Sequence, residues 1–166
     1  MKIRHRIYVR HIKGLVQERL SIPLIKHCIR TTLNHEGVDR NCEVSVLVTD
    51  DRGIRKINAE YRKIDAATDV LSFPMSEFIA PGWDPDGIFD TDPDTGVVPL
   101  GDIVISAGKV RIQASENDQT CERETAYLII HSTLHLLGYD HTDEAEGKRQ
   151  MRKREEEILE KLLGVL

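Results

Sequence analysis

The segment "CERETAYLIIHSTLHLLGYDH", residues 121–141, constrains this chain more than any other. Its apolar residues recur with helical spacing, so His131 and His135, four apart, share one face and can grip a single ion. Gly138 then provides a stop, with a left-handed cap as the expected geometry. The turn it permits brings His141 back beside the other two histidines. Whatever else the chain does, it has to present the end of one helix and the turn after it as a unit. Three neutral imidazoles suit Zn2+ and leave a fourth tetrahedral position open for water. Water bound in that way ionises near pH 7 instead of 15.7, by the general behaviour of zinc sites. The expected metal ligands are therefore His131, His135 and His141, with one zinc per chain.

The spacing is that of H-E-x-x-H-x-x-G-x-x-H, the ligand pattern of a class of zinc peptidases. The position of the glutamate base is Ser132. A serine hydroxyl, with its high pKa, cannot take a proton from bound water at neutral pH and hand it to a leaving amine. Amide hydrolysis requires that delivery, whereas phosphodiester cleavage leans more on charge stabilisation by a metal and an arginine. Ser132 thus turns the reading away from proteolysis. Cys121 lies ten residues before His131, about 15 Å along a helix, and does not complete the site. Glu124 and Asp140 are candidates for orienting a ligand. For both, a plain solvated carboxylate is the favoured reading, Glu124 at a helix start. His5, His11, His27 and His35 have no such partners in sequence and are expected to face solvent or bond locally.

At 166 residues the chain reads as one domain, 1–166, able to bury a core without disulfides. No apolar run approaches the roughly 18 residues of a membrane span. The N-terminus has scattered basic residues and no apolar stretch of a secretory signal. Cys28, Cys42 and Cys121 are widely separated with no C-x-x-C pair, which suggests free thiols in a reducing compartment; the expected localisation is cytoplasmic. The net charge of −5 at first argues against a polyanionic partner, but it is unevenly spread. Residues 77–100 hold six acidic side chains and no Lys or Arg, so the remainder is slightly positive. Basic residues gather at Lys2, Arg4, Arg6, Arg10 and Lys13, and again at Arg52, Arg55, Lys56, Arg62 and Lys63.

"KIRHRIYV" alternates as a half-buried strand, and a helix follows from Pro23 to a stop at Gly37. "EVSVLVT" (43–49) is the clearest strand, after which Asp50 or Asp51 caps a helix bearing Ile54, Ile57 and Tyr61. "DVLSF" and "GDIVIS" are short strands on either side of an acidic, Pro- and Gly-rich loop at about 77–99, read as a solvated insertion. Its "DTDPDTG" has some calcium-loop character, but the glycine is one place late and Gly101 stands where a bidentate Glu belongs. Helices are expected from about Ala107 to Asn117, over the histidine segment, and from Asp143, capped by Thr142, to about Leu163. The fold class is α+β: a small mixed sheet covered by helices, zincin-like, with the metal site on a helix and the turn following it.

"HSTLHLLGYDH" resembles the signature H-G-x-L-H-L-x-G-Y-D-H of the YbeY endoribonucleases, and three more blocks agree in order: "INAEYR", "TDVLSF" and "GDIVIS". Ser132 stands where that family usually has glycine, and the acidic loop is longer than in many members. The resemblance implies a metal-dependent, single-strand-specific endoribonuclease of the cytoplasm, and with the three imidazoles the expected enzyme is zinc-dependent. It implies action in small-subunit rRNA 3′-end maturation and ribosome quality control, with RNA and the ribosomal small subunit as partners. It maps the family's pocket arginine to Arg62, whose guanidinium can fork onto phosphate oxygens; taken alone, the residue reads sooner as a surface ion pair. Thr68, Asp69 and Ser72 are expected to line the substrate cleft, although Thr68 and Asp69 also suit a plain turn. A non-catalytic zinc-binding ribosome-assembly factor is the alternative, and a zinc peptidase the weaker third. Catalysis is favoured because structural zinc sites usually have four protein ligands.

Overall fold

A computed structural model of the chain describes residues 2–14, 19–140 and 145–164. Nine elements follow in order: β1 (Arg6–His11), α1 (Ile22–His35), β2 (Cys42–Thr49), α2 (Asp51–Arg62), β3 (Val70–Pro74), β4 (Val98–Ser106), α3 (Ala107–Glu116), α4 (Cys121–Leu136) and α5 (Ala145–Leu163). The architecture is the expected α+β one. Four strands form a mixed sheet in the order β1-β2-β4-β3, parallel except for β3, which runs antiparallel to β4 at one edge.

Local chemistry explains most boundaries. Ser21 caps α1, Asp50 caps α2 and Thr120 caps α4, each side chain accepting a backbone N–H of the first turn. β2 alternates strictly, with Cys42, Val44, Val46 and Val48 pointing into the main core. β4 lies between β2 and β3 and is buried on both faces: Ile103 and Ile105 enter the main core, and Val104 packs with Ile54 and Leu71 beneath α2. Gly101 is required in β4. Its φ is +141°, and a Cβ there would lie 2.2 Å from the Phe73 carbonyl. The register with β2 slips by one residue at this point, between Glu43 and Val44.

α4 is the central helix. It packs against α1, α3, α5 and the sheet, and ten of its sixteen residues are buried, Ile129, Ile130, Leu134 and Leu136 completely. Beyond its first turn, where Cys121, Glu122 and Arg123 reach solvent, one stripe escapes: Tyr127 is exposed and His131 and His135, at successive i+4 positions, are half-buried. The fold therefore uses the rest of α4 as a rigid mount for two histidines.

Several expectations shift. β1 runs from Arg6 to His11, later than "KIRHRIYV", because its pairing with β2 starts at Arg6↔Glu43. β4 starts at Val98, within the segment read as loop. The loop itself is not simply solvated. Trp83 stacks on Phe89 with centroids 4.6 Å apart, and Phe78 closes the cluster. Arg40 lies over Phe89 and donates to the Pro85 carbonyl, while Trp83 Nε1 donates to Asp39. These long-range contacts are invisible to a local reading of an acidic, Gly/Pro-rich stretch. His27 is exposed as expected, but His35 is tied to Glu157 and Lys161 of α5, and His5 accepts from the Cys42 N–H. All three contacts join segments distant in sequence.

Candidate metal centre and cleft

The Nε2 atoms of His131 and His135 approach to 3.1 Å, with the two rings nearly perpendicular at 81°. Two Zn–N bonds of about 2.0–2.1 Å at a tetrahedral angle place their nitrogens about 3.3 Å apart. The observed spacing is close to that, so Nε2 is the atom by which both rings could hold one ion. The remaining ring nitrogen of His131, Nδ1, lies 2.5 Å from Glu155 Oε1. Among the described residues no three His, Cys, Asp or Glu side chains converge as a metal group. His141, the third expected ligand, lies outside the described residues, as does Thr142.

The turn that should carry His141 is prepared up to its threshold. Gly138 has φ +87°, the left-handed conformation expected of it, and the Tyr139 N–H returns to the Leu134 carbonyl. Glycine is needed here for space as well. A Cβ would come within 2.6 Å of the Phe78 Cβ, so the acidic loop packs directly on the turn. The Gly82 N–H also bonds the Leu137 carbonyl. Tyr139 is buried, and its hydroxyl donates to Glu36 at 2.7 Å; burial and that carboxylate push its pKa well above the usual phenol value.

The histidines open into a cleft of about 650 Å3 between α4, β3 and the loop. Arg62, Thr68, Asp69 and Ser72 all line it together with His131 and His135. Arg62 reaches across from the last turn of α2, donating to the Ser72 carbonyl at 2.7 Å and lying over the Phe73 ring at 5.5 Å. Asp69 is committed to local structure. Its carboxylate accepts from the Val70 N–H, the Thr68 hydroxyl and Gln113, which answers the question of a turn role in the affirmative without removing either residue from the cleft wall.

Other positions are also clarified. Ser132 does not face the cleft. It is fully buried on the core side of α4, and among the described residues its hydroxyl has no hydrogen-bond partner. Glu124 is not a solvated helix-start carboxylate but is 5% exposed, and burial, then the charge of Asp69, raises its pKa. Asp140 is exposed on the cleft rim. Sequence reasoning missed Tyr127, a cleft residue whose ring lies 6.0 Å from that of His131, and Glu155. The available signal for Tyr127 was the i+4 step from His131. For Glu155 it was a lone charge on the apolar stripe of α5.

Fold and cleft together define the class: an α+β domain with a small mixed sheet and a core helix that presents two histidines at its open end. The architecture is shared with the solution structure of TM1509 from Thermotoga maritima, with a TM-score of 0.60 over 95% of this chain and 89% of that one; at 23% identity this speaks to fold alone. The family model of Endoribonuclease YbeY matches residues 10–163. Proteins named Endoribonuclease YbeY are similar at 46% identity in Agathobacter rectalis (81% of this chain, 83% of that protein) and 48% in Thermoanaerobacter sp. strain X514 (84% and 86%). The chain belongs to the YbeY endoribonuclease family.

Proposed function

We propose that this chain is a zinc-dependent endoribonuclease cutting single-stranded RNA in the cleft beside His131 and His135, in small-subunit rRNA 3′-end maturation and ribosome quality control. The observation that carries the reading is the convergence of two Nε2 atoms at ligand spacing in a cleft that Arg62 also lines. His131 and His135 would hold the ion through Nε2, with His141 as the third ligand. The ion, when bound, supplies Lewis acidity toward a phosphoryl oxygen and toward water. Arg62 binds non-bridging phosphate oxygens, and its anchoring to the Ser72 carbonyl and the Phe73 ring limits how far the guanidinium must reorganise. Tyr127 offers a π face to an unpaired base, a contact that a base stacked inside a duplex does not make. Its hydroxyl, whose pKa is raised by burial and then by Glu155 and Glu124, keeps its proton at neutral pH and serves as a donor.

The working location is the cytoplasm, and the partners are rRNA precursor and the ribosomal small subunit. Among the described residues no helix is long and apolar enough to cross a membrane. The test uses zinc-loaded wild type, Arg62→Ala and His135→Ala, each checked for folding, on single-stranded and duplex RNA of one sequence. Wild type should cut the single strand only, and both variants should lose at least 100-fold, the scale of losing one transition-state donor. Undiminished cutting by His135→Ala would expose a contaminating nuclease. A zinc-loaded wild type that cuts no RNA would favour the assembly-factor role. Product ends, and a 2′-deoxy substitution at the cut, then decide whether water or the 2′-hydroxyl attacks.

A further inference from the structure

The buried stripe of α5 is Met151, Glu155, Ile158 and Leu162. Three of these are what a helix packed on α4 requires, and the fourth is a carboxylate that is only 7% exposed. A carboxylate is excluded from such a position unless a partner compensates it. Its partner is the Nδ1 atom of His131, at 2.5 Å. His131 thus has one ring nitrogen on Glu155 and the other 3.1 Å from the Nε2 of His135. An imidazole that donates Nδ1–H to a carboxylate has its lone pair on Nε2, the atom the site geometry selects for the ion.

We propose that Glu155 is a positioning residue of the metal centre, accepting the Nδ1–H of His131 so that Nε2 faces the ion in one tautomer and one ring orientation. The proposal rests on the metal-centre reading above. It also gives α5 a role: the helix after the histidine turn folds back on α4 and delivers the carboxylate. His135, one helical turn on, presents its own Nε2 to the same point, so Glu155 sets the orientation of one ligand relative to the other.

Glu155→Leu separates positioning from packing. Leucine completes the apolar stripe and leaves only the His131 Nδ1 atom without its partner, so the metal-free variant should still fold cooperatively. Its zinc affinity, measured with Zn2+ alone by chelator competition, should fall 10–100-fold. Glu155→Gln keeps the shape and one acceptor oxygen without the charge, and should lie between the two, weaker than wild type by several-fold. Imidazole 15N shifts of the metal-free protein should show the Nδ1–H tautomer of His131 in wild type and its loss in Glu155→Leu, a change that packing alone does not produce. Wild-type zinc affinity in Glu155→Leu overturns the proposal, as it does in Glu155→Gln should the leucine variant not fold. These readouts are independent of RNA cleavage: wild type that takes up no zinc removes the metal reading itself, whereas normal loading of wild type and variants alike removes only the role of Glu155.

Discussion

Removing the Ser132 hydroxyl should make the protein more stable. The side chain is completely buried in the middle of α4, and among the described residues its Oγ has no hydrogen-bond partner. A buried hydroxyl left unsatisfied costs about 1–3 kcal/mol. Ser132→Ala removes that cost and gains about 0.5 kcal/mol of helix propensity. Against this stands the small void left by one oxygen, a few tenths of a kcal/mol at about 24 cal/mol per Å3. The net is a gain of about 1–2 kcal/mol, or roughly 3–6 °C in Tm for a domain of this size. Thermal and urea unfolding of the metal-free protein, followed by circular dichroism, read it directly. A loss of about 0.5 kcal/mol or more would refute the reasoning, because it would mean that the hydroxyl bonds in solution, with the Leu128 carbonyl one turn back as its nearest backbone candidate. Zinc affinity and RNA cleavage should be unchanged in the alanine variant, since Ser132 does not line the cleft. Ser132→Gly also removes the orphan hydroxyl but adds about 1 kcal/mol of backbone entropy, so it should be nearly neutral. This accounts for either small residue at the position. Ser132→Glu, which restores the peptidase pattern on paper, buries an uncompensated carboxylate. It should cost about 3–5 kcal/mol and yield no peptidase.

Gly138→Ala faces both a left-handed backbone and the Phe78 side chain, and should lower stability by at least about 2 kcal/mol and weaken zinc binding; an alanine variant indistinguishable from wild type in both would contradict the geometry. Glu124 has a raised pKa in the folded state, so its contribution is fully present below the unfolded value near 4.5 and is lost as pH rises through the higher folded value. Glu124→Gln should therefore gain stability relative to wild type as pH is raised from 4 to 7, in paired denaturant titrations. Burial pushes the Cys28 and Cys42 thiols up to about 12, so in the native protein at pH 8 only Cys121, half-buried at the start of α4, should react promptly with a thiol reagent; three should react in denaturant.

The legible parts of the sequence were those whose physics is local. The cap at Asp50, the alternation of β2 and the four-residue step from His131 to His135 each constrain the backbone within one or two turns, and each lies close to where it was expected. Arg62 and the residues at 68–72 reach the same cleft because α2 ends beside β3, an arrangement implied by the resemblance and not by any local pattern. What was not legible depends on distant contacts. Glu155 looks like one more charge in "KREEEILEK" until α5 is laid on α4. Trp83, Phe78 and Phe89 look like isolated aromatics in an acidic loop until they meet. Ser132 illustrates the same limit: the missing base was visible, but its burial away from the cleft was not.

The acidic loop is two structures in series. Its first part, Phe78 to Phe89, is wedged against the Gly138 turn and the connection after α1. Its second part closes on itself: Asp92 accepts from Asp94 and Thr95, the Gly96 N–H bonds the Asp92 carbonyl, and the Asp92 N–H bonds the carbonyl of Val97 at the segment's end. Insertions and deletions in 90–96 therefore change a self-contained turn, whereas a single residue added between 78 and 83 displaces the wedge. Length variation in this loop is mechanically insulated from the histidine cleft at one end and coupled to it at the other, which makes 90–96 the place to graft a tag, a probe or a recognition peptide.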